Sequence, residues 1–305
     1  MSKFEKQDDH RPKPDEIRAS TPNPQIIKND LSNTSTSVFV VKDKGGAGAS
    51  TFASALATSL RSSVDPSDTI VIADGDGSTG TTITKMGERG VDGKILLGQS
   101  LERGVPFFNV FDQAGVDILF DPTKLPAQIG IYDLPATVLS YMKKLKDNLT
   151  GLDLVKQHME FGRKVVIAIP ITPDLTSIAS VSYAIRMFGP NVSYVIVRNM
   201  YGATDKDFAL WDADNFKNAY GQVVGGRSKA LLASVNGTVI DMPALNSGVF
   251  AKIGAYELSY EEAKTSSHLG VTDRLCVKRW LAACALEFDK IRVVLGLPSG
   301  FEWIV

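Results

Sequence analysis

Apolar runs punctuate this chain at 38–42, 70–73, 116–120, 129–132, 165–169 and 194–197, with longer mixed segments between them. Val38-Phe39-Val40-Val41 and Val165-Val166-Ile167 are continuous blocks of β-branched or aromatic side chains rather than alternating ones. Blocks of that kind predict strands covered on both faces. Helical spacing fills the intervals at 49–61, 137–147, 150–160, 175–188 and 205–219. The segment 271–295 predicts a long amphipathic helix, with Leu275, Trp280, Leu281, Ala285, Phe288 and Val293 on one broad apolar face. Strand alternating with helix predicts an α/β fold, a mostly parallel sheet with helices on both faces. No internal repeat is evident.

Residues 1–36 break this pattern with prolines, many charges and the polar run Asn29 to Ser37. Such a segment buries too little apolar surface to offset its ordering entropy, so a disordered tail is expected at 1–36 and one folded domain at 37–305. A chain of 305 residues is long enough for one large core. Its net charge of −1 argues against a strongly basic nucleic-acid binder. Basic residues do gather on the 271–295 segment (Arg274, Lys278, Arg279, Lys290, Arg292), which reads as a solvated helix face or as a weak, non-specific DNA contact. Cys276 and Cys284 show no metal-binding spacing and read as reduced thiols. His10, His158 and His268 are too scattered for a metal site and read as solvated or structural. No apolar run approaches the roughly 18–20 residues of a membrane helix. The N-terminus lacks the apolar core of a secretory signal. The expected setting is therefore the cytoplasm.

Three predicted strand ends carry chemistry, and ligands of parallel sheets gather at such ends. The first is Lys44-Gly45-Gly46-Ala47-Gly48-Ala49-Ser50-Thr51, between a strand and an Ala- and Leu-rich helix. Glycines there let backbone approach a ligand closely, and amides at a helix N-terminus attract phosphate oxygens. Ser50 stands where a phosphate loop places its Mg²⁺-binding hydroxyl. The loop's usual lysine is replaced by Ala49, while Lys44 opens the loop. The second end is Ala73-Asp74-Gly75-Asp76-Gly77-Ser78, and the third is Tyr132-Asp133-Leu134-Pro135-Ala136, whose acid suits metal support. Plainer readings exist for each: surface turn residues for Asp74 and Asp76, a helix N-cap for Asp133. Gly46-x-Gly48 also matches half of a dinucleotide fingerprint, but Thr51 stands at the third glycine.

Taken together these segments resemble the deviant phosphate-loop ATPases of the ParA/MinD type, a SIMIBI-type P-loop NTPase fold. The resemblance rests on Lys44-Gly45-Gly46-x-Gly48-x-Ser50-Thr51, Asp74-x-Asp76 and Asp133-Leu134-Pro135-Ala136. It is extended by Ile169-Pro170-Ile171-Thr172-Pro173-Asp174, Val195-Ile196-Val197-Arg198-Asn199 and Ile240-Asp241-Met242-Pro243. It implies ATP and Mg²⁺ as cofactors and a homodimer closed around them as a nucleotide sandwich. It implies Lys44 as the contact to the partner's phosphates and Asp76 as the group that orients water. Gly45, Gly46, Ala47, Gly48, Ala49, Ser50 and Thr51 would form the cradle, with Ser50, Asp74 and Asp133 at the metal. Asn199, Met242 and Pro243 would border the base. The implied role is to partition or position a plasmid, a conjugation apparatus or a pilus machine through a partner protein or cargo adaptor, with recruitment to nucleoid or pole. StbB-like and TadZ/CpaE-like branches both share its wording. Ala49 removes a charge-assisted phosphate contact, which predicts weakened hydrolysis. The alternative is a nucleotide-gated scaffold without useful turnover.

Overall fold

The structure, a computed structural model, describes residues 29–77, 80–148, 153–214 and 216–304. Six strands form one parallel sheet: β1 (Thr36–Lys42), β2 (Ile70–Asp74), β3 (Ile129–Ala136), β4 (Lys164–Ile171), β5 (Ser193–Asn199) and β6 (Thr238–Met242). Their spatial order is β2-β3-β1-β4-β5-β6. The helices are α1 (Ala49–Ser63), α2 (Thr81–Met86), α3 (Gln113–Phe120), α4 (Val138–Asn148), α5 (Leu154–Glu160) and α6 (Leu175–Phe188). They continue with α7 (Ala209–Asp212), α8 (Arg227–Ser234), α9 (Ser247–Ala255), α10 (Tyr260–Ala263) and α11 (Val271–Asp289).

The apolar strands divide their side chains between two cores, as burial on both faces requires. Val38 and Val40 of β1 face a core built with Phe52 and Leu56 of α1 and with Trp280 and Phe288 of α11. Phe39 and Val41 face the other core, with Leu139 of α4, Val155 of α5 and Val181 of α6. β1 therefore feeds α1 on one face, while its neighbours β3 and β4 feed helices on the opposite face. The chain parts above β1, and a crevice opens at the carboxyl ends of the strands there.

Several expectations are corrected. Residues 116–120 are helical, not extended: Asp112 caps α3 by accepting the Gly115 N–H at 2.7 Å, and Val116, Leu119 and Phe120 bury at helical spacing. A sixth strand, β6, lies at the edge, where Thr238 and Asp241 interrupt the apolar pattern and hide it. The helix expected at 205–219 shrinks to a 3-10 turn at Asp205–Phe208 and the short α7. The helix expected at 150–160 begins at Leu154, capped by Asp153, and residues 149–152 lie outside the described residues. In the last helix Trp280, Leu281, Ala285 and Phe288 are buried, but Leu275 is 47% exposed and Val293, beyond the end of α11, is 77% exposed.

The expected tail splits. Residues 1–28 lie outside the described residues, while 29–36 pack onto the domain. Asn29 donates to the carbonyls of Ser63 (2.7 Å) and Glu302 (2.8 Å), and its own side-chain oxygen accepts the Glu302 N–H at 2.9 Å. Leu31 is 1% exposed, and Thr34 and Thr36 donate to the carbonyls of Gly296 and Leu295. A polar composition concealed this segment because its anchors are hydrogen bonds to a chain end more than 250 residues away.

Candidate functional site

The loop between β1 and α1 has the backbone of an anion cradle. Gly46 and Gly48 take φ of +82° and +90°, which favour glycine. Gly48 is the N-cap of α1 and supplies no side-chain acceptor, and the first helical bond runs from the Phe52 N–H to the Gly48 carbonyl. The amides of Ala49, Ser50 and Thr51 thus lie in the first turn without an intrahelical acceptor. They border a cavity of about 620 Å³, within the usual range for small-molecule sites. Gly45, Gly46, Gly48, Ala49, Ser50, Thr51 and Asp76 all reach this cavity. A larger groove of about 800 Å³ lies alongside it, lined by Arg61, Glu88, Arg89 and Glu261. No glycine of the loop opens into that groove, so the smaller cavity is the candidate site.

The three acids separate into different roles. Asp74 is 1% exposed: one carboxylate oxygen accepts the Asp76 N–H and the other accepts the Thr82 and Ile83 N–H groups, each at 3.0 Å. It fastens the β2 turn to α2. A Cβ on Gly80 would collide with this carboxylate, so glycine permits the contact. Burial, reinforced by the nearby Asp133 charge, pushes the Asp74 carboxyl up to about 6. Asp133, 3% exposed, accepts from the Thr82 hydroxyl at 2.7 Å with one oxygen and faces the Lys42 ammonium at 3.5 Å with the other. Asp76 is exposed and lines the cavity.

This arrangement does not fit Mg²⁺ as the sequence assigns it. Ser50 reaches the cavity, but both oxygens of Asp74 are engaged by backbone amides and those of Asp133 by a hydroxyl and an ammonium group. In this structure Asp74 is a buried anchor of α2.

The remaining candidates also take definite positions. Lys44 lies outside the cavity lining, 59% exposed, with its ammonium 3.8 Å from Asp174, the N-cap of α6. The Ala47 methyl is buried, and its carbonyl accepts from the Asn199 side-chain amide at 3.1 Å. The Asn199 side-chain oxygen accepts the Tyr201 N–H at 3.0 Å, so this amide ties the glycine loop to the turn after β5 while also lining the cavity. A Cβ on Gly48 would stand 2.6 Å from the Asn199 amide nitrogen, a close approach that only glycine allows. Met242 and Pro243 line the opposite wall, where the Trp280 indole holds the Pro243 carbonyl at 2.8 Å.

Sequence reasoning missed several contributors, among them Lys42, Lys85, Tyr201 and Phe250, which all line the cavity. Lys42 ends β1 beyond a register shift that begins at Val40. A charged residue closing an apolar strand two places before a glycine loop was the available signal. Lys85 sits on α2, and its ammonium lies 4.4 Å from the Phe250 ring centroid. Its spacing from Asp76 carries no motif. The C-terminal basic face is partly neutralised: Lys290 pairs with Glu287, Arg292 with Asp289, and Arg274 donates to the carbonyls of Ser266 and Leu269. Lys278 and Arg279 are exposed. No helix among the described residues is long and apolar enough to cross a membrane.

No family model and no curated protein matches the chain. Among solved structures it is similar to a ParA family ATPase from Chlorobium tepidum TLS, at 12% identity and TM-score 0.45 over 82% of this chain and 99% of that one. A putative plasmid partition protein from Borrelia burgdorferi B31 bound to AMPPNP matches at 13% identity and TM-score 0.38, over 84% of this chain and 99% of that one. The MinC:MinD cell division protein complex of Aquifex aeolicus matches at 12% identity and TM-score 0.38, over 81% of this chain and 96% of that one. The similarity to these ParA- and MinD-type structures thus extends over more than four-fifths of this chain, at low sequence identity.

Proposed function

We propose that this chain is a ParA/MinD-type nucleotide-binding protein that takes ATP in the cavity between the glycine loop and the Met242–Pro243 wall. The observation that carries this reading is the loop itself: two left-handed glycines and an uncapped α1 N-terminus open into a cavity of about 620 Å³. The amides of the first turn hold phosphate oxygens, aided by the helix dipole. Asp76, the exposed acid of the cavity wall, orients the attacking water. Met242, Pro243 and Tyr201 give the base an apolar slot, while Asn199 keeps the loop in shape. Lys44, largely exposed and outside the lining of its own cavity, would meet the phosphates of a second copy across a nucleotide sandwich. A cycle of nucleotide-dependent pairing would let the protein position a plasmid, conjugation or pilus cargo through a partner protein.

Ala49 favours a second reading, a nucleotide-gated scaffold with little turnover. Its 2% exposed methyl stands where an ammonium group would stabilise charge developing on the phosphates. Equilibrium binding of ATP and steady-state phosphate release, measured on the parent and on Ala49→Lys, separate the readings. Binding by both with a large gain in turnover on restoring lysine supports the scaffold. Comparable turnover by both supports an ATPase that works without that lysine. Absence of ATP binding in both proteins overturns the nucleotide reading.

A further inference from the structure

We infer that Lys85 is the phosphate-binding cation of this site, supplying from α2 the charge that Ala49 cannot supply from the loop. The inference rests on the nucleotide reading above and assigns it a residue that no motif marks.

Two lysines line the cavity, Lys42 and Lys85, and they are not equivalent. Lys42 is committed to Asp133, at 3.5 Å, in surroundings where their side chains are only 14% and 3% exposed. Removing that ammonium would leave a buried carboxylate uncompensated, so Lys42 neutralises the strand end. Lys85 makes no ion pair among the described residues. Its ammonium is held 4.4 Å from the Phe250 ring centroid and 6.0 Å from that of Tyr260. Rings hold a cation less firmly than a carboxylate or phosphate does, because only a quadrupole opposes its charge. Burial lowers the Lys85 pKa while Asp133 raises it, which places the group in a poorly hydrated position near the acid. An ammonium so placed gains more from a phosphate oxygen than it would in water.

The position matches the need. Lys85 lines the same cavity as Ala49, Ser50, Thr51 and Thr81. A flexible four-carbon stem reaches from α2 as a lysine at the loop would reach from α1. Because Asp74 ties α2 to the turn that carries Asp76, a phosphate held by Lys85 also steadies the segment bearing the water-orienting acid.

The test compares binding of ATP, ADP and AMP by the parent, Lys85→Met, Lys85→Arg and the double variant Ala49→Lys/Lys85→Met. Far-UV circular dichroism and thermal melting check folding of each. Loss of one charge-assisted contact predicts a roughly 10- to 100-fold weaker ATP affinity for Lys85→Met. AMP binding changes little, Lys85→Arg retains most of the ATP affinity, and the double variant recovers it. If the parent binds ATP and folded Lys85→Met binds it equally well, the assignment to Lys85 is wrong while the nucleotide reading stands. An equal loss for AMP and ATP also overturns it, since that is the signature of a damaged pocket. If neither the parent nor Ala49→Lys binds ATP, the nucleotide reading itself fails.

Discussion

The ammonium of Lys42 stands 3.5 Å from the Asp133 carboxylate, joining the ends of two neighbouring strands beneath the glycine loop. The Thr82 hydroxyl closes the other oxygen of the same acid at 2.7 Å, so three segments meet at one buried charge. Breaking such a pair from one side costs about 3–5 kcal/mol, because a buried charge is left alone. Lys42→Met should therefore lower unfolding free energy by about 3 kcal/mol in chemical denaturation. Lys42→Met/Asp133→Asn should lose clearly less than the two single changes added together. Additive losses would mean that the two side chains are not coupled.

Asp74 and His158 should pull the pH dependence of stability in opposite directions. The Asp74 carboxyl rises in the fold to about 6 from its ordinary 3.8, so its contribution is full below the ordinary value and lost as pH climbs through 6. Asp74→Asn removes that loss, and its stability relative to the parent should improve between pH 4 and pH 7. The expected slope approaches about 1.4 kcal/mol per unit within the window. Urea denaturation at several pH values measures it.

His158 behaves in the opposite sense. Its ring is buried, accepting from the Ser37 hydroxyl at Nδ1 and donating to the Leu119 carbonyl from Nε2, each at 2.8 Å. The Leu119 carbonyl can only accept, which puts the proton of the neutral ring on Nε2 and leaves Nδ1 to accept, while Arg163 donates to the same hydroxyl at 2.6 Å. Burial pulls the ring down to about 4 from 6.5, so its contribution is present above 6.5 and lost as pH falls toward 4. Proton titration by NMR should show His158 neutral at pH 5.5. A normal titration near 6.5 would contradict the hydrogen-bond pattern.

Asn199 should act on the loop rather than on base identity. Its amide donates to Ala47 and its oxygen accepts from Tyr201, leaving it engaged on both sides. Asn199→Ala should weaken ATP and GTP binding alike, by about fivefold for one lost hydrogen bond. Selective loss of ATP would instead return the residue to base recognition.

Lys44 offers the cleanest separation of stability from assembly. Its contact with Asp174 is long and exposed, a type of pair contributing about 0–1 kcal/mol. Lys44→Ala should melt with the parent, yet lose nucleotide-dependent self-association in sedimentation experiments if Lys44 reaches a partner's phosphates. Unchanged association would remove the trans role.

Five of the six strands were legible because continuous apolar runs can be buried only on both faces of a sheet. The run at 116–120 misled because four apolar residues out of five satisfy strand and helix alike, and the Asp112 cap decided between them. β6 escaped because an edge strand tolerates polar residues that blur its pattern. Asp74 looked like a ligand because an acid at a strand end is the same in sequence whether it meets a metal or a helix terminus. Only the Thr82 and Ile83 amides, folded back over it, distinguish the two.

The sequence by itself determined the alternating architecture, the glycine loop and the acids at successive strand ends, since each depends on neighbours within a few residues. The tertiary structure alone decided which charges meet. Lys42 and Asp133 are 91 positions apart, and Asn199 stands 152 positions from the Ala47 carbonyl that it holds. Local propensity contains no information about such distances. Parallel strand order brings these groups to one edge, and low-dielectric burial then makes their pairing matter.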